Sequence, residues 1–256
     1  MSNNDWQYMA MRRQPYKRVR RNSLGLPYQA KRRGYSTVPR TRGVYATGEN
    51  KYFDTEKAPT SISASSNWVG TEYDPTTLAT LFVPSQDTGI NQKINKAAKV
   101  ICIKIKGLIK CDAIEVASNP FNACNVRIAL VQDTQSNGTQ AQGEDVFKDP
   151  SSTVSAVLSF QNVNNFGRFK VLKDKFITLN PPSLSGTGAN SFDVNGVDRS
   201  FKMTYKPKQP INVRFNETDG GTIADIVDHS WHIIANTDDV EMVPKIEYQC
   251  RVVFCE

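Results

Sequence analysis

Eleven cations crowd the start of the chain: Arg12, Arg13, Lys17, Arg18, Arg20, Arg21, Lys31, Arg32, Arg33, Arg40 and Arg42. Asp5 is the one acid among them, so residues 1–42 carry +10 and the rest carries −3, against +7 for the whole chain. A guanidinium offers a planar fork to phosphate oxygens, and each neutralised phosphate releases condensed counterions. Trp6, Tyr8, Tyr16, Tyr28 and Tyr35 are interleaved with these cations. Aromatic rings beside guanidinium groups stack on unpaired bases. The combination is suited to a single-stranded nucleic acid. No zinc-finger, RNA-recognition or helix-turn-helix pattern accompanies it, so binding through charge and stacking is expected, without sequence reading. The same short Lys/Arg clusters also fit a nuclear import receptor. A membrane surface is a poorer partner, because no amphipathic helix goes with the charge.

Other chemistry is sparse. The histidines number two, His229 and His232. Three apart on a strand, they point to opposite faces and cannot share a metal. No G-x-S-x-G elbow is present, and Gly186-Thr187-Gly188 lacks the further glycine of a phosphate loop. The run Asp133-Thr134-Gln135-Ser136-Asn137-Gly138, with Glu144 twelfth, only partly matches a calcium loop. Gln135 is a poor third ligand and no helices flank the run; a hairpin turn at Asn137-Gly138 is the expectation instead. Asn137-Gly138-Thr139 and Asn216-Glu217-Thr218 are formal glycosylation sequons. The five cysteines (Cys102, Cys111, Cys124, Cys250, Cys255) form no C-x-x-C pair and mostly sit in strand-like patterns, as small buried hydrophobes do. No catalytic residue, metal or cofactor is predicted. A jelly-roll lyase or a cupin would need a ligand cluster that two histidines do not supply.

The elements follow from periodicity. Residues 1–48 show no helical or strand period, and Pro15, Pro27 and Pro39 break any helix. So charged a segment cannot bury enough surface to offset its ordering entropy, and a disordered arm is predicted. From residue 49 to 256 strand-like runs alternate with loops rich in Gly, Asn, Pro, Ser and Thr. Ile101, Ile103 and Ile105 oppose Lys104 and Lys106. Cys124, Val126, Ile128 and Leu130 oppose Asn125 and Arg127. Phe201, Met203 and Tyr205 form one face, as do Ile211, Val213 and Phe215. Ile246, Tyr248, Cys250, Val252 and Phe254 form a five-member face. Weaker strands are predicted over 50–57, 77–83, 167–179 and 229–236, with short helical turns near 143–148 and 221–227. No run approaches the length of a membrane span and no secretory signal is seen, so membrane insertion is not expected. The crossover helices of a parallel fold are missing. The expectation is all-β: a single eight-stranded antiparallel jelly roll of two four-stranded sheets, behind the basic arm.

Several segments, in order, resemble coat proteins of small circular single-stranded DNA viruses of the circovirus-like and geminivirus-like group. After the arm comes Glu49-Asn50-Lys51-Tyr52-Phe53-Asp54-Thr55. Then come Pro84-Ser85-Gln86-Asp87-Thr88-Gly89-Ile90-Asn91-Gln92-Lys93-Ile94, the run Gln135-Ser136-Asn137-Gly138, and Gly167-Arg168-Phe169-Lys170-Val171-Leu172-Lys173-Asp174-Lys175. The resemblance reaches from the arm to about Leu179. It implies a jelly-roll capsid protein, on the order of sixty copies in a T=1 shell, arms turned inward onto a single-stranded DNA genome, and a virion component that passes through the host nucleus. It also implies a nuclear import receptor and a cell-surface receptor as partners. The arm's chemistry alone equally fits the coat of a small RNA or satellite virus, or a non-viral nucleic-acid-binding β-domain.

Overall fold

The computed structural model describes residues 49–62, 69–70, 80–110, 124–136, 138–148, 155–179, 198–216, 221–238 and 244–256. In chain order the strands are β1 (Lys51–Ser61), β2 (Val69–Gly70), β3 (Ala97–Lys110), β4 (Cys124–Asp133), β5 (Phe169–Leu179), β6 (Arg199–Tyr205), β7 (Ile211–Arg214), β8 (Ser230–Thr237) and β9 (Lys245–Cys255). One sheet runs β1-β9-β3-β6, with β7 also on β3; the other runs β2-β8-β4-β5. Every pairing of these strands is antiparallel. The pairs nest: β1 with β9, β2 with β8, β3 with β6 and β7, β4 with β5. This is one long antiparallel ribbon rolled up so that its halves form two sheets, which is the jelly roll.

The eight lanes become nine strands because one lane is broken. Ile103 pairs with Tyr205 and Val100 pairs with Ile211, both along the same edge of β3. Between them lies Lys206-Pro207-Lys208-Gln209-Pro210. Proline cannot donate to a ladder, so the edge strand loops out there and resumes as β7.

Packing explains the register. The inward residues of both sheets, among them Ile103, Ile105, Val126, Ile128, Leu130, Trp231, Ile233, Tyr248, Val252 and Phe254, form the main core. Phe82 is its hub, with edge-to-face contacts to Phe53, Phe215, Trp231 and Phe254 at 5.1–6.1 Å between centroids. At Gly107 the ring of Phe201 closes over the backbone, and a Cβ there would lie 2.5 Å from both that ring and the Glu247 carbonyl. A missing side chain and a facing aromatic fill one lattice position.

Three expectations need correction. Ile101 does not share a face with Ile103: a bulge lies between Val100 and Cys102, and Ile101 is the extra residue. Residues 80–83 form no strand; Thr80 Oγ1 and the Leu81 amide donate to the Trp231 carbonyl, Thr80 Oγ1 also accepts from the Trp231 amide, and the chain plugs the core with Phe82 before Pro84. Residues 77–79 lie outside the described residues. The β4–β5 connection is no tight hairpin. Gly138 does take a left-handed φ of 69°, but the chain goes on through α1 (Gly143–Val146) and two 3-10 turns before β5 begins. The helical turns near 143–148 and 221–227 are present, as α1 and as a 3-10 turn at Ile223–Asp225.

Candidate functional site

The predicted phosphate-binding cations, Arg12 through Arg42, lie outside the described residues. The body, however, carries two surface features of functional character, one on each sheet.

On the β2-β8-β4-β5 sheet the outer face is covered. Ala129, Val131, Ile234 and, from β5, Phe169 pack with Ala141, Val146 and Phe147. The cover is the β4–β5 connection, and Arg127 fastens it. Arg127 projects outward from β4 yet is only 7% exposed. Its guanidinium grips Asp174 on β5 through Nε (3.0 Å) and Nη2 (2.7 Å). Nη1 donates to the carbonyls of Val157 (2.9 Å) and Ser159 (2.6 Å). The rings of Phe147 and Phe176 flank it at 4.6 and 4.9 Å. A second fork, Arg168 on buried Asp133 (3.0 and 2.8 Å), closes the far end and raises the Arg168 pKa through that hydrogen bond. The loop so fastened shows solvent four large apolar side chains: Leu158, Phe160, Val163 and Phe166, with Phe160 at 85% and Val163 at 81% exposure. These side chains make the loop a candidate contact surface. Sequence reading missed them, because they are isolated in a turn-rich stretch with no period.

On the β1-β9-β3-β6 sheet the outer face is charged, with exposed lysines among the described residues. Lys104 and Lys106 project from β3, and Lys202 lies directly across from Lys106 in β6. All three are exposed. Arg251 pairs with Asp54, and Lys110 pairs with Glu247 at 2.8 Å. The carboxylate partner raises the pKa of both cations, chiefly through its hydrogen bond. At the edge of this sheet Lys51 and Glu256 form a 3.2 Å ion pair with both side chains 9% exposed. Lys51 Nζ also donates to the Gln92 carbonyl, and Glu256 accepts from the Ile94 amide at 2.7 Å. This knot fixes the chain at the start of β1.

The remaining candidates do not assemble. His229 precedes β8 at a φ of 62° and meets Gln132 Nε2 at 3.0 Å. His232, on β8, is buried, with Nε2 2.8 Å from Ser230 Oγ. Burial lowers the His229 pKa. Asp133, first of the calcium-like run, is engaged by Arg168, and Asn137 lies outside the described residues. No group of three or more His, Cys, Asp or Glu able to hold a metal occurs among the described residues. Cys102, Cys124, Cys250 and Cys255 are buried, and Cys124 Sγ lies 2.9 Å from Thr237 Oγ1.

No family model matches the chain, and no curated protein does. Among solved structures, a 60-mer BFDV capsid protein aligns with 83% of this chain and 96% of its own, at 8% identity and a TM-score of 0.28. Apo New Jersey polyomavirus VP1 aligns with 80% of this chain and 98% of its own, at 9% identity and a TM-score of 0.27. Superpositions this loose decide nothing about function; the jelly-roll assignment stands on the strand order.

Proposed function

We propose that this chain is the capsid subunit of a small virus, self-assembling into a T=1 shell and packaging single-stranded DNA. The jelly-roll body supplies a rigid block. The arm, 1–48, supplies phosphate contacts through Arg12, Arg13, Lys17, Arg18, Arg20, Arg21, Lys31, Arg32, Arg33, Arg40 and Arg42, and carries the import signal. On the order of sixty arms of +10 place roughly 600 positive charges inside, enough to neutralise much of a small genome. The observation that carries the reading is the pinned loop with Leu158, Phe160, Val163 and Phe166 held out to solvent: it fits association with further copies, on a body already joined to a polyanion-binding arm. The motif resemblance supports the DNA genome and nuclear passage.

The test is electron microscopy of purified full-length protein, with the absorbance ratio for co-purified nucleic acid. Closed particles of uniform diameter are expected. Phe160→Glu/Val163→Glu should keep the β-sheet circular dichroism and bind nucleic acid, yet yield no particles. An arm with its eleven cations changed to Gln should package little. A small soluble species under every salt and nucleic-acid condition would overturn the shell reading in favour of a non-assembling nucleic-acid-binding domain.

A further inference from the structure

We infer that the lysine-bearing outer face of the β1-β9-β3-β6 sheet is a second contact surface for the single-stranded nucleic acid held by the arm, with Lys104, Lys106 and Lys202 as its phosphate contacts. The inference rests on the packaging function proposed above and adds to it a site on the folded body.

The first argument is electrostatic. Lys106 and Lys202 are directly opposite in register, and Lys104 is two residues along on the same face. Like charges facing each other across an antiparallel pair repel and destabilise the sheet. Nearby acids relieve this only in part. Asp54 is engaged by Arg251 and Glu247 by Lys110, while Glu56, which accepts from the neutral Gln249, keeps one negative charge in the same cleft. Among the described residues none of the three lysines has a carboxylate partner. A row of largely uncompensated ammonium groups is complementary to a phosphate backbone, and each contact would release counterions.

The second argument is shape. Beside the lysines lies an open cleft of about 830 Å³, lined by Glu56, Lys106, Ser200, Lys202 and Gln249 among others. Lys104 and Lys106 are about 6.6 Å apart along the strand, and Lys106 and Lys202 about 5 Å across it, within reach of neighbouring phosphates for such flexible stems.

The third argument is continuity. The arm enters the body at Lys51, the first residue of β1, which is the edge strand of this same sheet. A polymer bound by the arm is thus tethered to the molecule that carries the lysine row, and the second contact forms at high effective concentration.

The experiment compares the full chain with Lys104→Gln/Lys106→Gln/Lys202→Gln and with the corresponding triple Lys→Arg variant. Binding of a labelled poly(dT) oligonucleotide is measured over a range of salt, alongside thermal unfolding and particle yield. The slope of log K against log salt should fall by about 0.7 per lost contact, about 2 in all. Affinity at low salt should fall at least several-fold, with the Gln variant unfolding no lower than wild type, since the Lys106–Lys202 repulsion is removed, and with the Arg variant binding like wild type. An unchanged slope and affinity in the Gln variant overturns the inference while leaving the arm's role intact. So does unaltered poly(dT) binding with loss of particles, which would make the face a contact for an acidic surface of a second copy. If the wild-type chain itself fails to bind poly(dT), the packaging function falls and takes this inference with it.

Discussion

Arg127→Ala should cost the body about 3–5 kcal/mol. The substitution removes a guanidinium that makes three close contacts with Asp174 and two with the carbonyls of Val157 and Ser159, all from a side chain 8% exposed. Breaking a buried pair by deleting one partner costs about 3–5 kcal/mol, because the other charge stays behind. Asp174 is 31% exposed, so water recovers part of that. The two carbonyls lose charged donors at about 1–3 kcal/mol each if they stay dry, and the two flanking rings lose a cation at about 0.5–2 kcal/mol. These contributions overlap and do not add, which places the total in the stated range. For a body of this size that is a fall in Tm of roughly 6–20 °C. Urea unfolding followed by circular dichroism should show a lower midpoint with little change in m. Limited proteolysis should open the segment near Phe160 in the variant first. Arg127→Lys keeps the charge but has one ammonium for five acceptor contacts, and should recover less than half of the loss. A change below 1 kcal/mol for Arg127→Ala, with the loop still protected, would mean that apolar packing alone holds the cover, and the fastening role would be wrong.

Three further outcomes follow from the geometry. Gly107→Ala should destabilise by about 1–3 kcal/mol, since its Cβ would meet the Glu247 carbonyl and the Phe201 ring at 2.5 Å; pairing it with Phe201→Ala should return part of the loss in a double-mutant cycle. Glu256→Gln should lower stability by about 3 kcal/mol, because it leaves Lys51 buried without its counter-charge, and hydrogen exchange should quicken at the Ile94 amide. Burial pushes the Cys250 thiol to about 12 from an ordinary 9.0. Its neutral form is thus held more tightly folded than unfolded, so that contribution is intact below pH 9 and is lost as pH rises from 9 towards 12, by up to about 1.4 kcal/mol per pH unit. Cys250→Val should flatten that part of the alkaline stability curve, and the native thiol should resist alkylation at pH 8.

The strands were legible where one side of a sheet alone does the burying. β9 shows its five inward residues as a plain alternation, and β6 and β7 do the same on either side of the two prolines. Legibility failed where burial comes from something distant in sequence. β4 has a polar Arg127 in an outward position, which reads as a solvated face; only the pinned loop makes that position interior. The bulge at Ile101 is invisible for a related reason. An apolar residue every second position fits one face, and just the pairing with β9 reveals the extra residue. Phe82 sits in a run that passes for a strand, but its neighbours find one ladder partner and its ring finds four others. As to function, the arm's composition is a local property and could be read directly. Lys104 and Lys106 could be placed outward by alternation, yet their adjacency to Lys202 depends on a register spanning almost a hundred residues.

The two sheets solve the problem of an outer face in opposite ways, and the difference bears on assembly. The β2-β8-β4-β5 sheet hides its outer residues beneath a loop, and that loop passes the apolar character on to solvent through Phe160 and Val163. The β1-β9-β3-β6 sheet occupies its outer face with exposed lysines that face one another. Neither arrangement is favourable for an isolated molecule: the first leaves greasy side chains in water, and the second stores like-charge repulsion. Both costs would be relieved by the partners proposed above, other copies for the apolar loop and a polyanion for the lysine row. A subunit built this way should associate weakly without nucleic acid and strongly with it, and should do so less as salt screens the lysines. Nucleic-acid-dependent, salt-sensitive assembly therefore tests both sheets together, whereas Phe160→Glu/Val163→Glu and the lysine variants separate them.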